Sequence, residues 1–155
     1  MKLECTGIGT CEYWIDGKCD LLIPSNRIRT AMLRETPCYK APDGSSIRSL
    51  LSLNLGGLAH CILPPDRISQ AVCHKTVEEI WFFISGIGKL WRKYRDEESV
   101  VTVKKGICIT IPANVAFQFR NTGNIDLEFL ISTMPPWPGL DEAAKIEQGY
   151  WEYLG

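Results

Sequence analysis

From residue 46 onward the chain is a succession of short apolar runs, each closed by turn residues and recurring at intervals of roughly 8–12 residues. The runs are 47–55, 58–63, 78–84, 89–94, 99–103, 107–111, 115–120 and 127–133. Between them stand Gly56-Gly57, Pro64-Pro65-Asp66, Ser85-Gly86, Asp96, Gly106, Pro112-Ala113-Asn114 and Gly123-Asn124. Runs this short, with this punctuation, predict an all-β sandwich or barrel. Upstream, Asp16-Gly17 sits between two apolar stretches and suits the positive φ angles of a tight turn, which predicts an N-terminal β-hairpin. Residues 1–45 are therefore an arm of hairpin and linker, 46–133 the barrel, and 134–155 a tail that leaves through Pro135, Pro136 and Pro138 and ends in a short helix from about Asp141.

A length of 155 residues suits one domain. Lys and Arg number 17 against 18 Asp and Glu, so no basic excess exists to neutralise a phosphate backbone. Nucleic acid and anionic membrane are thus poor partners. No stretch approaches the ~18 apolar residues of a membrane span. The seven cysteines form no C-x-x-C pair and no zinc-type spacing, and no apolar signal segment follows the first four residues. A reducing cytoplasm is the expected location.

Strand alternation orients two of the runs. Glu79, Trp81 and Phe83 share one face, and Glu78, Ile80, Phe82 and Ile84 share the other. Both faces are largely apolar, so an outer layer is expected from the hairpin or from a second subunit, and a homodimer follows. In 115–120, Val115, Phe117 and Phe119 oppose Ala116, Gln118 and Arg120.

The spacing His74-x4-Glu79-x6-Gly86 resembles the second half of the first cupin motif. Gly106-x5-Pro112-x-Asn114-x2-Phe117-x3-Asn121 resembles the second motif in spacing. His74-Lys-Thr-Val-Glu-Glu-Ile-Trp81 and Thr133-Met-Pro-Pro-Trp-Pro138 further resemble a group of small single-domain bacterial cupins. The resemblance implies a double-stranded β-helix (jelly-roll) barrel. It also implies a metal site in which two histidines and a glutamate of the first motif meet one histidine of the second. His74 matches the second histidine and Glu79 the glutamate, but Val72 and Phe117 stand where the other two histidines would be, and Asn114 replaces a motif glycine.

Two of four ligands are thereby lost, whereas catalytic zinc and iron sites normally use three protein ligands. The expectation is no cofactor; the alternative is a weakly held divalent metal such as Ni, Mn, Fe or Zn on His74 and Glu79. The resemblance points His74 and Glu79 into the barrel, and alternation sets Val72, Trp81, Phe83, Phe117 and Phe119 around them. Trp91 and Trp137 are further candidates for the mouth. An apolar wall raises a carboxyl pKa and an imidazole starts near neutrality, so His74 and Glu79 suit general acid–base work on a small organic ligand. The leading expectation is a metal-independent lyase, isomerase or cyclase. The alternatives are a metal-dependent dioxygenase or isomerase, and a non-catalytic binding or sensing module. With Val72 and Phe117 at ligand positions, stability comes from the apolar core, so EDTA leaves the melting temperature within about a degree of its untreated value in differential scanning calorimetry. A drop of many degrees, reversed by one divalent ion, contradicts this.

Overall fold

Alternating side chains turn each of these runs into a strand, and the Gly, Pro, Asn and Asp residues between them bend the chain back. The computed structural model describes residues 28–36 and 38–153, and the backbone alone of 14, 15, 18, 19 and 140. The strands are β1 (Trp14–Ile15), β2 (Lys18–Cys19), β3 (Tyr39–Lys40), β4 (Ser46–Leu53), β5 (Gly56–Leu63), β6 (Val72–His74) and β7 (Glu78–Ser85). They continue as β8 (Ile87–Tyr94), β9 (Glu97–Lys104), β10 (Cys108–Ile111), β11 (Ala116–Asn121), β12 (Leu127–Met134) and β13 (Ala143–Lys145). A six-stranded sheet in the order β10-β7-β12-β5-β4-β3 faces a five-stranded sheet in the order β13-β6-β11-β8-β9. Among the described residues no helix is long and apolar enough to cross a membrane.

The two sheets are joined by rings. Trp81 and Phe129 of the first sheet stack at 4.6 Å, and Trp81 meets Phe117 and Phe119 of the second edge-to-face, each at 5.3 Å. Phe83, Leu90, Phe119, Leu127 and Phe129 have no exposed surface. Each such ring is worth about 3–5 kcal/mol against truncation to alanine. The core fills one end of the barrel, and the other end stays hollow.

β1 and β2 pair Trp14 with Cys19 and Ile15 with Lys18, the register of the expected hairpin; its turn at Asp16-Gly17 lies outside the described residues. The other face of β7 is partly open: Ile80 is 41% and Phe82 46% exposed in the single chain. Both sheets reach beyond 46–133. β3 pairs with β4 through Tyr39 and Ile47, and β13 pairs with β6 through Ala143 and His74. The short helix expected from Asp141 is instead one 3-10 turn, Leu140–Glu142, followed by β13. Tertiary bonds decide this: Glu142 accepts from the backbone N–H of Thr76 at 2.6 Å and of Val77 at 2.7 Å, and from the Thr76 hydroxyl at 3.0 Å. The turn is pinned beside β6, whose edge then pairs with the extended chain.

Three turn positions explain the motif residues. Gly86 has φ +78°, and a Cβ there would run into the backbone carbonyl of Asp126 and sit 2.8 Å from the Cα of Leu127. Gly106 has φ +87°, with no atom within 4 Å of such a Cβ. Asn114, which replaces a motif glycine, has φ +64°, a conformation that asparagine tolerates better than most side chains. The substitution therefore preserves the turn. Gly86→Ala should cost about 2–4 kcal/mol, combining steric overlap with backbone strain. Gly106→Ala, with strain alone, should cost about 1 kcal/mol. Equal losses in urea unfolding would contradict the distinction.

Candidate functional site

The hollow end of the barrel holds a cavity of about 80 Å3, on a scale where one water needs about 10–15 Å3. That is room for a small organic molecule. Its wall combines several stretches of chain. β6 contributes Val72 and His74, β7 contributes Glu79 and Trp81, and β11 contributes Phe117, placed opposite Val72 by the β6–β11 register. Thr133 of β12 lies opposite Glu79, and Trp137 of the proline-rich exit segment completes that side.

His74 and Glu79 are each 5% exposed. His74 Nδ1 lies 3.8 Å from Glu79 Oε1, beyond hydrogen-bond reach, and has no hydrogen-bond partner. The imidazole is held edge-to-face by Phe117 at 5.0 Å and Trp137 at 4.9 Å. Glu79 Oε2 accepts the indole N–H of Trp81 at 2.7 Å. Burial pushes Glu79 up to about 8, with the carboxyls of Asp43 and Glu142 adding to the effect and the Trp81 N–H opposing it. Burial pulls His74 down to about 4, against the charge of Glu142. At neutral pH the pair is therefore a carboxylic acid beside a neutral imidazole, not an ion pair.

Alternation carries three of the expected residues elsewhere. Phe83 and Phe119 lie two residues along β7 and β11 from Trp81 and Phe117, about 7 Å deeper, and belong to the closed core. Trp91 does not reach the cavity. On β8 its neighbour Leu90 takes the core position, and Trp91 sits opposite Gln118 with its N–H on Glu98 at 2.6 Å and its ring 6.2 Å from Tyr150. His60 lies on another part of the six-stranded sheet and contacts Glu128 at 3.0 Å.

One wall comes from the stretch read as linker. Tyr39, Ala41, Pro42 and Asp43 line the cavity, because β3 and the turn after it fold along β4. Asp43 Oδ1 accepts from the Ser45 N–H at 2.8 Å and the Ser45 hydroxyl at 2.6 Å, and burial raises its pKa. Pro42-Asp43-Gly44 carries a turn signature, which marks the bend but not what the bend covers.

The donor set does not fit the metal centre that the resemblance implies. Val72 and Phe117, each 1% exposed, put apolar groups at two of its four positions. Among the described residues no three His, Cys, Asp or Glu side chains converge as metal ligands.

Residues 59–133 match the family described as Cupin domain. The chain is 34% identical over 104 residues to the uncharacterized protein MJ1618 of Methanocaldococcus jannaschii, covering 64% of this chain and 80% of that one. Among solved structures, a conserved protein with a double-stranded β-helix domain from Klebsiella pneumoniae superposes with a TM-score of 0.61 at 16% identity, over 79% of this chain and 100% of that one. Oxalate decarboxylase from Bacillus subtilis gives 0.65 at 13% identity, over 79% of this chain and 34% of the other. The capsular polysaccharide assembling protein CapF from Staphylococcus aureus gives 0.63 at 18% identity, over 73% and 34%. The chain thus spans about a third of the length of the last two, and at these identities the likeness concerns the fold.

The shifted pair gives stability a defined pH dependence. A carboxyl whose folded pKa is about 8 against a usual 4.5 favours folding at low pH, and that contribution is lost as pH rises through about 8. An imidazole held at about 4 against a usual 6.5 acts oppositely, costing stability as pH falls from 6.5 towards 4. Glu79→Gln keeps an acceptor for Trp81 and removes the carboxyl's loss, which accrues between about pH 4.5 and about pH 8. Between pH 5 and pH 9 the unmodified protein should lose about 2–4 kcal/mol more than Glu79→Gln in denaturant unfolding. Parallel pH profiles would show that Glu79 is ionised in the fold.

Proposed function

We infer from the cavity of this chain, which belongs to the cupin superfamily, that the protein is a small-molecule-binding cupin performing metal-independent acid–base chemistry of the lyase, isomerase or cyclase type. One observation carries the reading. A buried carboxyl and a buried imidazole face the same cavity at 3.8 Å, with the imidazole Nδ1 unpartnered. Burial has separated their proton affinities in the direction that leaves the proton on Glu79.

Glu79 is the acid. Its pKa of about 8 lies close to neutrality, where a general acid combines the right protonation state with a usable driving force. His74 Nδ1 receives a proton from a substrate C–H or O–H. After one transfer of each kind the pair is a carboxylate beside an imidazolium, and because both charged forms are disfavoured by burial the proton returns to Glu79, through one water since 3.8 Å is too long for direct transfer. Elimination, addition and proton-shift reactions all need this exchange of one proton in and one out. Trp81 holds the carboxyl through its N–H, and Phe117 and Trp137 fix the ring plane of His74. Val72, Ile47 and Ile131 provide apolar walls that exclude water.

The test is solvent-deuterium incorporation. Cyclohexanone, dihydroxyacetone and whatever small molecule co-purifies with the protein are incubated with it in D2O, and C–H loss is followed by NMR. At least one should exchange faster than in buffer, and His74→Ala and Glu79→Gln should each slow that exchange by about 10²–10⁴-fold. Exchange that is indifferent to both substitutions would overturn acid–base catalysis and favour a non-catalytic binding module.

A further inference from the structure

The charges lining the cavity are one-sided, although Lys40 lies near enough to act on Asp43 from outside the lining. Asp43 and Glu79 both line it, and among the described lining residues there is no lysine or arginine. The two carboxyls are 9% and 5% exposed and come from different parts of the chain, the β3–β4 turn and β7. An isolated buried carboxylate is costly, and proteins normally bury one against a cation. The lining here supplies none. It supplies instead the rings of Tyr39, Trp81, Phe117 and Trp137. A second observation points to a missing partner: His74 Nδ1, on a side chain 5% exposed that lines the same cavity, has no hydrogen-bond partner.

We propose that the cavity is built for a small organic ammonium ion, with the Asp43 and Glu79 carboxyls as its counter-charges, His74 Nδ1 accepting one N–H, and its hydrocarbon part against Ile47 and Ile131. The inference rests on the same cavity as the proposed chemistry, but an ammonium ion that ionises Glu79 and engages His74 Nδ1 occupies the acid and the base, so it is a ligand of the cavity and not the substrate of that reaction. Aromatic faces attract cations, most strongly when both are desolvated. A carboxylate or phosphate ligand meets the opposite situation. It faces two carboxyls and no guanidinium or ammonium, the groups that recognise such anions. The protonation states support the same sign. At pH 7, ionising Glu79 to meet a cation costs roughly tenfold in affinity, whereas protonating His74 to meet an anion costs roughly a thousandfold. A neutral alcohol meets neither cost but gains hydrogen bonds alone.

The experiment is isothermal titration calorimetry of the full chain at pH 7 with two near-isosteric series. One is isobutylammonium chloride, isobutanol and sodium isobutyrate; the other is benzylammonium chloride, benzyl alcohol and sodium benzoate. In at least one series the ammonium ion should bind about tenfold or more tightly than the alcohol, with no measurable binding of the carboxylate. Asp43→Asn and Glu79→Gln should each narrow the gap between ammonium and alcohol. Should either variant fail to fold, the charge series on the unmodified protein decides by itself. Alcohol binding as tight as ammonium in both series, measurable carboxylate binding, or no ammonium binding in either series would overturn the proposal. Because only binding is read, a protein that binds ammonium without catalysing deuterium exchange sinks the acid–base reading alone, and the converse result sinks this one alone.

Discussion

The indole of Trp81 meets the rings of Phe117, Phe119 and Phe129 at 5.3, 5.3 and 4.6 Å and donates its N–H to Glu79. It is therefore the last member of the core and the first member of the site. Edge-to-face ring contacts between the sheets set their spacing, and the same indole orients the one carboxyl that β7 sends inward. The order follows from strand geometry, since Glu79, Trp81 and Phe83 occupy successive inward positions from the hollow end to the filled end. Shortening Trp81 would loosen both at once.

Burial is what gives the polar pair its character. In water an imidazole is the stronger base and a glutamate is ionised; in this cavity the loss of solvent penalises both charged forms and exchanges their preferences. Glu142 pushes both values upward. It is held on the N–H groups of Thr76 and Val77 and on the Thr76 hydroxyl, and these bonds outweigh its own burial and keep its pKa low. Its negative charge opposes ionisation of Glu79 while partly supporting protonation of His74. A 3-10 turn far along the chain thus tunes two residues on strands of the two facing sheets.

The two departures from the cupin motif have different physical consequences. Asn114 keeps the left-handed turn of the glycine it replaces, so the backbone is unaffected. Val72 and Phe117 change chemistry: the positions face inward as the motif requires, but they carry apolar groups, and the Phe117 ring packs on His74. The inward positions of the motif are present, with donors at only two of the four.

The all-β class, most strand positions and the inward row Glu79-Trp81-Phe83 were legible in the amino-acid order, because side-chain alternation and turn chemistry are local properties. The convergence of His74 with Glu79 came from motif spacing. What lay beyond local pattern was where the cavity ends and which loops close it. Depth along a strand separated Trp81 and Phe117 from Phe83 and Phe119, and facing separated Trp137 from Trp91. Asp43 entered the site only because β3, two residues long and too short to show a period, pairs with β4. The chain after Asp141 took an extended form because Glu142 found its partners at Thr76 and Val77, 66 and 65 residues away. Local sequence determines which way a side chain points on its strand; only long-range pairing decides what it points at.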